Sequence, residues 1–311
     1  MRRQIHGILL LDKPAGLTSN GSLQRVKRLF NAKKAGHTGS LDPIATGMLP
    51  LCFGEATKFS QFLLESDKSY CVVAKLGVRT TTGDIEGEVI DTQPVAGLSV
   101  ARVEEVMKKF QGEIDQVPPM FSAIKFQGKP LYELARRGIE IERKSRRITI
   151  YKLQLDNLEN EYLTFNVHCS KGTYVRTLVE DIGSELGCGA HVTELRRTAV
   201  SPYADAMMYT LPELESIVES KGIEGLLDCL LSVDTAVQSY PAVRLSTSAA
   251  FYLRMGQPVR ASFPLHSSMV RLFSDDGRFL GIGEVMSDGR VKPQRLLAAP
   301  DVAMASTGTS C

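Results

Sequence analysis

The chain has no C-x-x-C pair, no apolar run long enough to cross a bilayer and almost no net charge. Each absence closes off a class of function. Cys52, Cys71, Cys169, Cys188, Cys229 and Cys311 are scattered, which fits reduced thiols better than a disulfide framework. Arg2 and Arg3 precede an apolar run, but it ends at Leu11 before Asp12. That is too short for a signal-peptide core or a membrane span, so no membrane association and a cytoplasmic setting are expected. Lys and Arg number 37 against 35 Asp and Glu, a formal charge of +2. Bulk charge therefore does not announce a nucleic-acid partner, and such a case must rest on where the charges sit. His6, His168, His191 and His266 show no metal-ligand spacing. His168 and Cys169 are adjacent on an expected strand and so face opposite sides, against a Cys–His nucleophilic pair. No repeat or low-complexity segment is present.

At 311 residues with 43% hydrophobic content, the chain can bury a sizeable core and suits one large domain with a smaller one. Gly7 to Asp12 reads as a buried strand. A helix follows, with Leu23, Val26, Leu29 and Phe30 on one face and Ser19 or Ser22 as its cap. Residues 36–50 are rich in Gly and Pro and are expected to be an ordered loop. Helices are expected over about 55–64 and 100–110, with Gly112 as a stop signal, and a strand over about 68–76.

Leu163, Phe165, Val167 and Cys169 alternate with polar residues as in a half-buried strand. Val175, Leu178, Val179, Ile182 and Leu186 then mark a helix that Gly187 can end. Thr210-Leu211-Pro212-Glu213 is a capping box. From about Tyr240, short strands punctuated by Gly and Asp-Gly suggest a small β-rich module. Residues 298–311 have little core-forming potential and are expected to fray. Strands and helices without strict alternation point to α+β.

The most informative stretch is Gly36-His37-Thr38-Gly39-Ser40-Leu41-Asp42-Pro43, continuing through Gly47 to Pro50. Glycines allow a tightly shaped loop, and Pro43 restricts Asp42 to extended conformations, so the carboxylate should be rigidly presented. No acid occurs from Lys13 to Leu41, whereas Lys13, Arg25, Lys27, Arg28, Lys33 and Lys34 are basic. Such surroundings keep a carboxylate ionised, as a nucleophile or base requires. On spacing alone, an Asp that caps a turn is the commoner outcome.

This loop resembles the catalytic motif of the TruB family of pseudouridine synthases, enzymes acting on uridine 55 of transfer RNA. Lys13-Pro14-Ala15-Gly16-Leu17-Thr18-Ser19 resembles the family's first block, and Ser69-Tyr70 with Arg79-Thr80-Thr81-Thr82-Gly83-Asp84 its second. Pro118-Pro119-Met120-Phe121-Ser122-Ala123-Ile124-Lys125, with Gly128, Tyr132, Ala135 and Arg136, resembles the third. Ser170-Lys171-Gly172-Thr173-Tyr174-Val175-Arg176-Thr177, then Gly187 to His191 and Leu195-Arg196-Arg197-Thr198, resemble the fourth. Together these blocks span most of residues 7–200.

The resemblance implies a large mixed, mainly antiparallel catalytic domain over 1–239 and a PUA-like β-rich domain over 240–297. It makes Asp42 the catalytic residue, paired with Arg176. Tyr70 would stack on the flipped base, with a proton-transfer role possible. Tyr174 and Leu195 would line the base pocket, and His37 would fill the gap left in the RNA. The segment 118–147 would clamp RNA through Lys125, Lys129, Arg136, Arg137, Arg143, Lys144, Arg146 and Arg147, although a charge run is usually only a solvated face.

The implied reaction is a redox-neutral isomerisation, so no cofactor and no metal are expected. The implied partner is the T arm of transfer RNA, with the protein a monomer that can also assist transfer-RNA folding. Three other readings stand beside this one: a non-catalytic RNA-binding protein on the same scaffold, a base-excising glycosidase, and a ribosomal-RNA or guide-dependent relative. The second needs an acid pair, and no second acid is visible in the sequence.

Overall fold

The computed structural model describes residues 1–95, 97–264 and 267–298. The expected tail therefore lies, except for its first residue, outside the described residues.

Strand β1 (Gly7–Lys13) leads to helix α1 (Ser19–Leu29), then β2 (Ala35–His37) and β3 (Thr46–Phe53). A 3₁₀ turn over Gly54–Phe59 runs into α2 (Ser60–Leu64) and β4 (Lys68–Leu76). A small hairpin, β5 (Val78–Thr80) and β6 (Val89–Thr92), precedes α3 (Val100–Lys108) and β7 (Gly112–Gln116). Next come β8 (Lys125–Phe126), β9 (Lys129–Pro130), α4 (Leu131–Ala135), β10 (Arg146–Glu159) and β11 (Tyr162–Cys169). Helix α5 (Val175–Leu186), β12 (Ala190–Val200) and α6 (Leu211–Gly225) follow. The remaining elements are β13 (Ala242–Leu245), α7 (Thr247–Arg254), β14 (Val259–Arg260), β15 (Met269–Ser274), β16 (Phe279–Val285) and β17 (Arg290–Leu296).

The large sheet runs β1-β3-β12-β4-β11-β10-β7, with β2 beside β3. Its pairs are antiparallel except β3–β12, which is parallel, with Arg196 opposite Thr46 and Arg197 opposite Gly47. The second sheet runs β13-β15-β16-β17-β14. The α+β class with a β-rich C-terminal part is therefore observed.

Residues 36–50 are not wholly loop. Residues 46–50 belong to β3, and 36–37 to β2. The reason is burial on both faces. Leu49, Leu51 and Phe53 join the main core under the helices, while Met48 and Cys52 join a second cluster with Ile8, Leu10, Phe59, Val237 and Ile282. A strand apolar on both sides loses the period-two pattern that would reveal it. Ile282 lies on β16, so this second cluster also binds the C-terminal sheet to the back of β1 and β3.

Helix α5 forms where its spacing predicts. Val175, Leu178, Val179 and Ile182 are buried in the main core, and each such side chain contributes roughly 1.5–3 kcal/mol. Gly187 ends the helix in the left-handed region at φ +85°, where glycine avoids the Cβ penalty. Thr210 and Glu213 make the reciprocal capping box of α6. The cap of α1 is Thr18 rather than Ser19 or Ser22, its side chain accepting from the Gly21 amide. Ser19 is freed for a different contact, described next.

Candidate active site

Asp42 follows a loop fastened at several points. The Ser19 hydroxyl accepts from the Leu41 amide at 2.7 Å and donates to the Leu41 carbonyl at 3.1 Å. The Gly16 amide donates to the Pro43 carbonyl at 2.9 Å, and the fully buried Lys13 ammonium donates to Pro14 and Pro43 carbonyls at 2.7 and 3.3 Å. The first and main motif blocks are thus one constructed unit. On the far side, buried Arg197 donates to the Met48 and Gly39 carbonyls at 2.7 and 3.0 Å.

Arg176, in the first turn of α5, meets Asp42 through two nitrogens. Nε lies 2.9 Å from Oδ2 and Nη2 lies 3.2 Å from Oδ1. This is the fork geometry that favours arginine over lysine. The same guanidinium donates to the Thr82 carbonyl at 2.7 Å and the Phe121 carbonyl at 2.8 Å, and stands 3.5 Å from Asp84 Oδ2. Every edge of the guanidinium is occupied, which fixes its orientation toward Asp42.

Burial pushes the Asp42 carboxyl above its ordinary range; Arg176 opposes this, Asp84 reinforces it and Lys13 opposes it, and the net direction is upward. Cationic surroundings alone had suggested a simple ionised carboxylate. The structure instead shows one whose pKa burial raises, yet whose side chain is 38% exposed and open to a substrate.

Tyr70 on β4 is nearly buried, and burial raises its phenol above the usual value, with Arg197 opposing. Tyr174, just before α5, is half-buried and shifted the same way by burial. The Asp42 charge adds to the upward shift at both phenols. Leu195 is buried in the main core on β12, opposite Val72 of β4. His37 ends β2; burial first and Arg197 second lower its pKa, and its Nδ1 is buried without a hydrogen-bond partner.

Residues 118–147 carry the β8–β9 hairpin and α4. Lys125, Lys129, Arg136, Arg137, Lys144, Arg146 and Arg147 are at least partly exposed. Arg143 instead ties the segment together, donating to the Pro118 carbonyl at 3.2 Å and to Glu140 at 3.2 Å. Arg147 lies 3.5 Å from Glu113 and 3.9 Å from Asp115. Among the described residues, no cluster of three or more His, Cys, Asp or Glu is arranged to hold a metal ion.

Asp84, Gln116 and Arg197 also belong to the site, though the sequence alone marks no role for them. Buried Asp84 accepts from the Thr82 hydroxyl at 2.6 Å and the Glu86 amide at 3.1 Å, and so stands as a fixed second anion behind Arg176. Buried Gln116 takes both backbone groups of Tyr174, at 2.8 and 3.0 Å, and sets where that ring begins. Asp84 and Arg197 do stand inside motif blocks, which was their only signal; Gln116 had none.

Residues 27–175 match the N-terminal domain of the TruB family of pseudouridylate synthases. Residues 176–238 match the tRNA pseudouridylate synthase B C-terminal domain, and 241–297 the C-terminal part of pseudouridine synthase II TruB. The chain is 55% identical over 297 residues to the tRNA pseudouridine synthase B of Ectopseudomonas mendocina, covering 96% of this chain and 97% of that protein. The chain belongs to the TruB family and is an enzyme.

The Coxiella burnetii enzyme of the same name is 54% identical over 95% of this chain and 96% of its own length. A pseudouridine synthase fold is also shared with solved structures. One is an H/ACA ribonucleoprotein bound to a substrate RNA containing 2′-deoxyuridine, with TM-score 0.73 and 24% identity, over 95% of this chain and 86% of that one. Another is a Cbf5-Nop10-Gar1 complex, with TM-score 0.72 and 26% identity, over 95% and 84%. No helix among the described residues of this family member is long and apolar enough to cross a membrane.

Proposed function

We propose that this protein converts uridine to pseudouridine at position 55 in the T loop of transfer RNA, in the cytoplasm, with Asp42 as the reacting carboxylate. The observation that carries the reading is the Asp42–Arg176 fork on a loop pinned by Ser19, Lys13 and Arg197. Relatives named tRNA pseudouridine synthase B, matched over nearly their whole length, supply the substrate class.

The isomerisation breaks the N1–C1′ bond and forms a C5–C1′ bond. The proton lost from C5 balances the one gained at N1, so atoms and electrons close within the nucleotide. A carboxylate can assist by attacking C1′, by adding to C6 or by removing a sugar proton, and each route needs Asp42 ionised and close. Arg176 orients it. Its desolvation makes it the stronger nucleophile, since fewer waters must be shed.

The base must first leave its stack, at about a few kcal/mol. Tyr70 and Tyr174 then offer aromatic faces to hold the uracil while it turns, and Leu195 an apolar contact. His37, held toward its neutral form by burial, suits stacking in the vacated position more than phosphate binding. The exposed cations of 118–147 would grip the stem from outside.

The test is to incubate purified protein with unmodified transfer RNA and map pseudouridine by chemical sequencing. One modified position, in the T loop, is expected. Release of free uracil would favour base excision instead, and no change in the RNA would end the assignment.

A further inference from the structure

The basic run before the active-site loop is not used by this mechanism. Lys27 and Arg28 close α1, and Lys33 and Lys34 follow at the entrance to β2. Arg28, Lys33 and Lys34 are exposed and Lys27 half-exposed. The N-terminal segment lies against them: the Arg3 amide donates to the Asn31 carbonyl at 2.8 Å and the Lys33 amide to the Arg3 carbonyl at 2.8 Å. That brings exposed Arg2 to the same place.

The nearby acids are already engaged. Glu224 holds Arg3 at 2.6 Å, Glu215 holds Arg25 at 2.7 Å, and Glu55 holds Lys58 at 2.7 Å. Among the described residues, no ion pair involves Arg2, Lys27, Arg28, Lys33 or Lys34. Cations in the last turn of a helix are explained by the helix dipole, at roughly 0.3–1 kcal/mol each. That accounts for Lys27 and Arg28 but not for Lys33, Lys34 and Arg2, which lie outside the helix.

We propose that Arg2, Lys27, Arg28, Lys33 and Lys34 form a second binding surface for the sugar-phosphate backbone of the substrate RNA, separate from segment 118–147. The inference rests on the RNA reading given above and adds a docking face to it. Its geometry is continuous with His37: Lys34 precedes β2 and His37 ends it, roughly 10 Å apart at about 3.3 Å per residue, while Asp42 lies farther off, at the Lys13–Gly47 end of β1 and β3. RNA held in the site would pass within reach of flexible lysine and arginine side chains. These side chains would meet phosphates, which position the RNA without reading its sequence.

The test is direct binding, without turnover, of the full protein to unmodified transfer RNA and to its isolated T-arm stem-loop across a range of salt. The variant is Lys27→Gln, Arg28→Gln, Lys33→Gln and Lys34→Gln combined. Gln is chosen because Glu at the end of α1 would oppose the helix dipole and confuse folding with binding. Circular dichroism checks the fold, and single Lys33→Gln and Lys34→Gln variants, outside the helix, serve if the combined variant is unstable.

Affinity for transfer RNA at about 0.15 M salt is expected to fall at least roughly tenfold. The plot of log K against log salt should become shallower, by up to about 0.9 for each phosphate that the variant no longer neutralises. The rate at saturating RNA should fall much less than the affinity. Unchanged affinity and slope on both RNAs would overturn the proposal, and would leave an acidic protein surface as the patch's partner. Failure of the RNA-isomerisation reading would appear elsewhere, as absence of pseudouridine with the unaltered protein.

Discussion

Arg176 stands between two carboxylates that lie 42 positions apart in the chain, touching Asp42 at 2.9 Å and Asp84 at 3.5 Å. Only Asp42 is open to solvent; the Asp84 side chain is 4% exposed. One guanidinium therefore serves an exposed acid, for which we propose the reacting role, on one side and a buried acid on the other, and the Asp84 charge itself pushes the Asp42 carboxyl upward.

Arg176→Lys keeps the charge but loses the fork. Without two-point attachment, Asp42 loses part of the effect that lowers its pKa, and the burial that raises it remains. The saturating rate should drop about 10–100-fold, in line with removal of one orienting group. If activity needs ionised Asp42, the acid limb of the pH–rate profile should move to higher pH. A single-turnover pH series measures both, and an unmoved limb would separate Arg176 from the ionisation of Asp42.

Asp84→Asn should move that limb the opposite way. Asp84 raises the Asp42 pKa, so its removal lets Asp42 ionise at lower pH. The plateau rate should still fall, by roughly tenfold, because Arg176 loses an anchor whose own position is set by Thr82 and Glu86. A fall in plateau rate with a limb moving to higher pH would contradict the arrangement.

Gly47→Ala tests the frame beneath the loop. Gly47 has φ +96°, and a Cβ there would sit 2.2 Å from the Arg197 carbonyl oxygen across the β3–β12 pairing. The obstructing atoms are backbone, so they cannot yield cheaply. The substitution should cost roughly 2–4 kcal/mol in urea unfolding and loosen Arg197, which holds Gly39 and Met48. A cost below about 0.5 kcal/mol, the range of an ordinary surface substitution, would show that the two strands separate easily here.

What could be read from the sequence follows physical lines. Helix α5, its Gly187 stop, the Thr210 capping box and the alternating β11 were legible because local spacing alone produces them. β3 reads as loop in the sequence because it is buried on both faces and carries Gly47 and Pro50, which mimic turn signals. The α1 cap is Thr18 and not Ser19 or Ser22, and Ser19 is drawn into the loop that carries Asp42. Asp42 and Arg176 were reached by resemblance to a family motif. The upward shift of the Asp42 carboxyl and the hold of Gln116 on Tyr174 arise only when distant segments meet, and no spacing in the chain encodes them.

The central claim is that the chemistry passes through the Asp42 carboxylate. The direct measurement is the single-turnover rate of pseudouridine formation on a T-arm stem-loop by the Asp42→Asn protein, with RNA affinity measured on the same sample. Asn keeps the shape and removes the charge. The account predicts a loss of about a thousandfold or more in rate, as expected when a nucleophile is removed, with affinity nearly unchanged. A variant that binds normally and retains roughly a tenth of the rate would contradict it.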